Sequence, residues 1–273
     1  MQLLDDQEAL KAHILNVLGK NGGPPLASSE RTSQEVTDSA VLFLLGSGPG
    51  RLSRDPCLIL NKRSPRVKQA GDLCCPGGGI SPRLDPAFAR LLGLPFFPLG
   101  RWPLWRALRR ENMPAARRLA LLLATSLRES FEEMRLNPLS VHFLGALPRQ
   151  GLVMFRRHIY PMVGWYGGRP RFRPNWEVEK IVCIPIRNLL KPEHYARYRI
   201  TWDSGMEGGS AAESDFPCFL PNPGVEGEIL WGATYRITMV FLDMVFGFRP
   251  PEHGTLPRVS GVLGPGYYNN RPA

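Results

Sequence analysis

The chain has 273 residues, with 34 Lys and Arg against 24 Asp and Glu, a net charge of +10 and a pI of about 9.7. Such a length can bury a sizeable core as one domain or two, and the basic balance favours polyanions, whether nucleic acids, anionic membranes or phosphorylated metabolites. Five cysteines without metal-site spacing argue against a disulfide framework and for a reducing compartment, and no run reaches the ~18 apolar residues of a membrane span.

The N-terminus carries Asp5, Asp6 and Glu8, the wrong charges for a signal or transit peptide, so a cytoplasmic location is expected. Asp5 or Asp6 can cap a first helix with Leu10, Ile14, Val17 and Leu18 at helical spacing, ending at Gly19 and packing on the core or on a second subunit. Residues 20–35, rich in Gly, Pro and Ser, read as a loop that closes an N-terminal segment 1–35. Val41 to Leu45 and Cys57 to Leu60 are short apolar runs separated by Gly46-Ser47-Gly48-Pro49-Gly50, which predicts a strand pair. Next comes Cys75-Pro76-Gly77-Gly78-Gly79, a glycine turn that lets backbone pass close to a ligand. The adjacent Cys74 and Cys75 read as packing residues, because vicinal cysteines do not easily grip one tetrahedral metal.

Residues 86–118 interleave Phe96, Phe97, Trp102 and Trp105 with Arg101, Arg106, Arg109 and Arg110. Two readings stand. Stretch 94–110 could meet an anionic lipid surface, a nucleic acid or an acyl-pantetheine arm. Alternatively the segment is a hairpin-like extension whose aromatics pack on the body of the protein or on a dimer partner. A lid or subunit contact over the active site is the hypothesis it suggests.

A helix is predicted from Pro114, favoured at the first helical position, to Leu136, with Pro138 just beyond. At about 100° per residue, Glu129, Glu132 and Glu133 share one face, while Leu123, Leu127, Phe131 and Met134 gather on the other for burial. Carboxylates at i, i+3 and i+4 repel unless a cation sits among them, and hard oxygen ligands suit Mg²⁺ or Mn²⁺. A solvated acidic helix face is the plain alternative.

Val141 to Leu147 and Val153 to Val163 read as strands around a Pro148-Arg149-Gln150-Gly151 turn, with a second turn at Trp165-Tyr166-Gly167-Gly168. Ile181 to Ile186 is a further strand, and Arg187 to Leu190 a turn or short helix. Residues 203–228 look like a long loop, Trp231 to Phe246 a helix buried on nearly all sides, and 249–273 a Pro/Gly-rich tail running extended over the surface. The five histidines adjoin no obvious nucleophile, which argues against a histidine-based triad.

The glycine loop with Arg128-Glu129-Ser130-Phe131-Glu132-Glu133 resembles the Nudix box, G-x5-E-x7-R-E-U-x-E-E-x-G-U, of the Nudix hydrolases. Its core R-E-x-x-E-E is intact. Between Asp85 and Arg128, however, lie 42 residues where the pattern has seven, an insertion of about 35. Asp85 replaces the first glutamate, or Leu84 holds that position if counting starts at Gly78; Ser130 replaces a bulky aliphatic residue and Arg135 a glycine.

Flanking stretches narrow the resemblance to the coenzyme A pyrophosphatases. Leu58-Ile59-Leu60-Asn61-Lys62-Arg63-Ser64 is similar to their L-L-T-x-R-S, and Gly71 to Gly78 to their G-x3-F-P-G-G, with Cys75 for phenylalanine. Lys68 stands where they carry arginine. Val163-Gly164, Pro174-Asn175 with Glu177-Val178, and Trp231-Gly232-Ala233-Thr234 extend the similarity over roughly residues 40 to 247.

The resemblance implies an α/β Nudix fold, a mixed sheet between helices, over 36–248, and metal-dependent hydrolysis of a nucleoside diphosphate derivative. Coenzyme A or acyl-coenzyme A leads, giving 3′,5′-ADP and 4′-phosphopantetheine. ADP-ribose, a dinucleotide or capped RNA remain alternatives, as does a Nudix-fold binding protein without activity. By the family pattern Glu129, Glu132 and Glu133 ligate metal, and Arg128 orients a neighbouring glutamate through a bidentate pair. Gly77 and Gly78 let the loop approach helix and metals, and Arg63 and Lys68 are candidates for substrate phosphate. Glu177, Glu226 and Glu228 are all open as general base. A homodimer is also open, whereas nucleic acid is not the expected partner.

Overall fold

The computed structural model describes residues 2–21, 37–48, 55–152, 157–168, 171–202, 213–222, 227–263 and 267. Its centre is the strand β1 (Thr37–Ser47), which pairs in parallel with β7 (Arg157–Tyr166) on one side. On the other side β2 (Pro56–Arg63) runs antiparallel to the last part of β1, with Leu44 opposite Ile59. The strand pair expected from the two apolar runs is therefore present. The first part of β1 is covered on that same side by β4 (Gly77–Gly79), which is the glycine loop itself, and Leu42 N–H donates to Pro76 O at 2.8 Å. Strands β3 (Leu73–Cys74) and β8 (Val178–Pro185) join β2; β5 (Val141–Ala146) and β6 (Gln150–Leu152) join β7.

Alternation along β1 divides the core into two layers, as the period of two requires. Ala40, Leu42 and Leu44 face one layer with α4 (Met113–Met134); Val41, Phe43 and Leu45 face the other, with α1 (Gln7–Asn21) and α6 (Gly232–Phe246). The result is a mixed sheet between helices, the fold class expected from the sequence. Asp6 caps α1 by accepting from the N–H groups of Glu8 and Ala9, and the helix runs two residues past Gly19. Leu10, Ile14 and Leu18 are buried against this chain's own core.

Three expectations need correction. The 86–118 segment is not hairpin-like: it folds as α2 (Asp85–Leu92) and α3 (Trp105–Glu111), lying along α4. Its buried side chains, Leu92, Leu99 and Trp105, join the α4 layer, Trp102 meets Phe143 edge-on at 5.1 Å, and Arg101 donates to the carbonyls of Leu139 and Val141. Only its outer residues stay wet, with Phe96 83% exposed.

A second, small sheet was also not foreseen. It has the order β11 (Leu230–Trp231), β10 (Glu213–Phe219), β9 (Tyr195–Trp202), β12 (Arg258–Leu263). Part of the supposed 203–228 loop is thus a strand, although residues 203–212 and 223–226 lie outside the described residues. The tail is extended as expected, but as a strand parallel to β9. The third correction concerns Phe131: it is 45% exposed, whereas Ser130 takes the buried position and donates to Ser126 O at 2.6 Å. Among the described residues no helix is long and apolar enough to cross a membrane.

Candidate functional site

Helix α4 begins at Asn112, whose side chain accepts from Ala115 N–H at 3.0 Å, and ends at Arg135, a left-handed cap with φ 56°. That conformation costs a residue other than glycine on the order of 1 kcal/mol. It is offset here by the Arg135 N–H, which donates to Phe131 O at 2.9 Å, and by the guanidinium resting 5.2 Å from the Phe131 ring centre. The helix therefore stops where the family pattern would have used glycine.

On its last two turns, Arg128 is the hub. Its Nε donates to Asp85 Oδ1 at 2.7 Å and Nη2 reaches Asp85 Oδ2 at 3.5 Å; Nη2 also donates to Glu129 Oε1 at 2.9 Å and Gly79 O at 3.1 Å, and Nη1 to Glu132 Oε2 at 3.1 Å. The guanidinium is thus forked on Asp85 rather than on a neighbouring glutamate, and it binds two glutamates through single contacts. Asp85 is wholly buried, and its Oδ2 also accepts from Thr125 Oγ1 and Ser81 N–H, each at 2.7 Å. Burial works against the charge on Arg128, but the Asp85 hydrogen bond and the charges of Glu129 and Asp85 outweigh it and push its pKa up. Of the two counts open in the sequence, the structure places Asp85 against Arg128 and leaves Leu84 exposed.

The glycines matter through what they lack. A Cβ at Gly78 would come within 2.6 Å of the Glu129 carboxylate, and one at Gly77, where φ is +155°, within 2.4 Å of Ala40 O. Loop and helix can be this close only because both positions have no side chain.

Glu133 belongs to a different group of residues. It is 9% exposed, and its Oε2 accepts from Asn61 Nδ2 at 2.7 Å. With Asn61, Arg63, Cys74 and Glu177 it lines a cavity of about 80 Å³. Burial, and then the charges of Glu129 and Glu177, push the Glu133 carboxyl up to about 8, against the pull of Arg63 and the Gly77 N–H. Burial likewise raises Glu129, with Arg128 opposing it. Asn61 was singled out only as part of a matching stretch; its buried Oδ1 has no partner among the described residues.

The three glutamates each have a partner within the chain. Arg128 holds Glu129 and Glu132, Asn61 holds Glu133, and among the described residues no three His, Cys, Asp or Glu side chains meet as a metal-holding group. The donor chemistry nonetheless fits a hard divalent cation. Every candidate ligand is oxygen, burial raises the Glu129 and Glu133 carboxyls as it does where a nearby positive charge is missing, and the orphaned Asn61 Oδ1 is a further acceptor beside Glu133.

Other candidates separate clearly. Arg63 lines the cavity, held by its Nε donating to Lys68 O at 2.7 Å. Lys68 takes part through that carbonyl, and its own side chain is exposed. Glu228 is paired with Lys180 at 2.5 Å, a hydrogen bond that lowers its carboxyl pKa. Glu226 lies outside the described residues.

Neither a protein-family model nor a curated protein sequence matches the chain. Solved structures do. A MutT/nudix family protein from Enterococcus faecalis is similar over 89% of this chain and 75% of its own, at 10% identity and a TM-score of 0.40. A NUDIX hydrolase from Alicyclobacillus acidocaldarius is similar over 58% and 83%, at 16% identity and a TM-score of 0.36. A C. elegans Ap4A hydrolase, in a binary complex, is similar over 57% and 84%, at 9% identity and a TM-score of 0.35.

Proposed function

We propose that this chain is a Nudix-type hydrolase that cleaves the diphosphate of a nucleoside diphosphate derivative with Mg²⁺ or Mn²⁺. The observation that carries the reading is the fork of Arg128 on buried Asp85. Although 42 residues separate them, the two halves of the sequence motif meet as a single hydrogen-bonded unit with the glycine loop against Glu129.

In this reading Glu129, Glu132 and Glu133 hold the cation. When bound, it neutralises phosphate charge and lowers the pKa of a water. The chain's own contributions are positional. Arg128 and Asp85 fix where Glu129 and Glu132 stand, Gly77 and Gly78 admit the loop backbone, and Arg63 offers a cation to substrate phosphate from the cavity wall. Glu177 is the best general base of the three, because it lines the cavity with Glu133 whereas Glu228 is tied to Lys180. Its carboxylate would take the proton of the attacking water.

Coenzyme A or acyl-coenzyme A is the leading substrate, on the sequence stretches around Arg63 and the glycine loop, and the protein would work in the cytoplasm. The test is a product assay with Mg²⁺ and Mn²⁺ across coenzyme A, acyl-coenzyme A, ADP-ribose, dinucleotides and capped RNA. Release of 3′,5′-ADP from coenzyme A is expected. Turnover of ADP-ribose or a dinucleotide alone would move the substrate within the class, and no turnover of any diphosphate would end the hydrolase reading.

A further inference from the structure

Arg63 stands on the wall of the cavity beside Glu133, and its Nε donates to Lys68 O at 2.7 Å. Lys68 C=O and Gln69 N–H belong to one peptide group, and that N–H donates to Tyr267 O at 2.8 Å. A peptide group is planar, so holding one edge holds the other. Two hydrogen bonds in series through it also polarise one another. The C-terminal tail thus reaches the Arg63 side chain through a single rigid unit.

Tyr267 is itself anchored. It is buried, and its hydroxyl donates to Asp72 Oδ2 at 2.5 Å. Asp72 Oδ1 accepts from Trp231 Nε1 at 3.0 Å, and the Trp231 and Tyr267 rings lie 6.3 Å apart. Burial pushes the Asp72 carboxyl up, against the pull of these two hydrogen bonds and of the Arg63 charge. Trp231 lies in β11, and Tyr267 comes four residues after Leu263, the end of β12, so both arrive from the second sheet. The turn between β2 and β3 closes without them: Arg63 N–H donates to Asp72 O and Gly71 N–H to Arg63 O, each at 2.9 Å. The bond from the tail falls instead on Gln69, whose φ of 57° is the left-handed conformation that favours glycine. What it adds is a hold on the one peptide that carries Arg63.

We propose that Tyr267 is a positioning residue for Arg63: through the Lys68–Gln69 peptide, the tail sets where the guanidinium stands and so how tightly the cavity holds a diphosphate. That the diphosphate is a substrate rests on the hydrolase reading, whereas the link from Tyr267 to Arg63 does not. The second sheet then acts on the site from outside it, by delivering the tail.

The test is a double-mutant cycle read by calorimetric titration of α,β-methylene-ADP, whose bridging carbon blocks cleavage, in the presence of Mn²⁺. Arg63→Ala should weaken the analogue about tenfold to a hundredfold, as loss of a charged hydrogen bond does. Ending the chain at Leu263 should weaken it about tenfold, and Tyr267→Phe, which keeps the ring and the carbonyl, about threefold. Neither tail change should weaken it further once Arg63 is alanine. Amide protons of residues 64–72 should exchange faster in the shortened chain. In turnover, Tyr267→Phe should raise KM by the same factor with kcat held. Circular dichroism checks each fold, and if the shortened chain does not fold, the cycle with Tyr267→Phe decides. Equal losses with and without Arg63, no loss from either tail change, or no loss from Arg63→Ala would overturn the proposal. A chain that shows the coupling yet cleaves no diphosphate would sink the hydrolase reading and leave the positioning role standing.

Discussion

The first half of α4 lies beneath α2 and α3 with Ala116, Leu119, Leu123 and Leu127 removed from water, whereas the second half carries Arg128, Glu129, Glu132 and Glu133. Apart from Arg117 and Arg118, which keep to its outer side, the first is apolar and closely packed. In the second, charges are held by hydrogen bonds, and burial, followed by the neighbouring charges of Glu129 and Glu177, keeps Glu133 up at about 8. Apolar burial and charge are thus placed on successive turns of one helix, and the packed half fixes the charged half in position.

That comparison can be broken at either end. The largest effect is expected from Glu132→Gln, which removes a half-exposed carboxylate from the charged end: kcat should fall on the order of a thousandfold, several kcal/mol of transition-state stabilisation, with the melting temperature little changed. A loss of under tenfold in a steady-state assay would remove Glu132 from the machinery. Leu92→Ala attacks the packed end, where a wholly buried side chain joins the α4 layer; denaturant unfolding should show a loss of about 2–5 kcal/mol, with kcat retained by the protein that stays folded.

Next comes pH. The folded-state pKa of Glu133 is raised from 4.5 to about 8, so folding favours its protonated form. Its contribution to stability is fully present below about pH 4.5 and is lost as pH rises through about 8. Without divalent metal, the melting temperature should therefore decline across that window, less so in Glu133→Gln, and added Mn²⁺ should oppose the decline at the alkaline end. The smallest effect is expected from Arg135→Gly: relief of the left-handed cap should raise stability by less than about 1 kcal/mol, because the stacking on Phe131 is lost at the same time. An unchanged or lower stability would mean that the ring contact outweighs the backbone relief.

Much of this was legible in the residues. The apolar runs around 41–45 and 57–60, the α4 boundaries and the buried α6 follow from periodicity and turn residues, and Arg128 with its glutamates from motif spacing. What escaped depends on partners distant in sequence. In β9, Ala196, Tyr198 and Ile200 alternate with Arg197 and Arg199, but β10 opens on Glu213-Ser214-Asp215, contains Pro217 and becomes a strand by pairing with β9. Asn61 lies in a matching stretch, yet only the fold places it on Glu133, 72 residues away. Phe131 fell on the helical stripe meant for the core, but the contact it makes is with Arg135 beyond the helix end.

The 2.7 Å contact between Asp85 and Arg128 also bears on how the chain tolerates its extra length. The excursion sets out from one side of that contact and returns to the other, so lengthening it sixfold adds a loop-closure entropy of only about 1.6 kcal/mol. Sequestering a single Leu92 or Trp105 returns about as much. Material grafted at its outermost point, near Phe96, is therefore free to vary in size and chemistry while the guanidinium fork stays where it is.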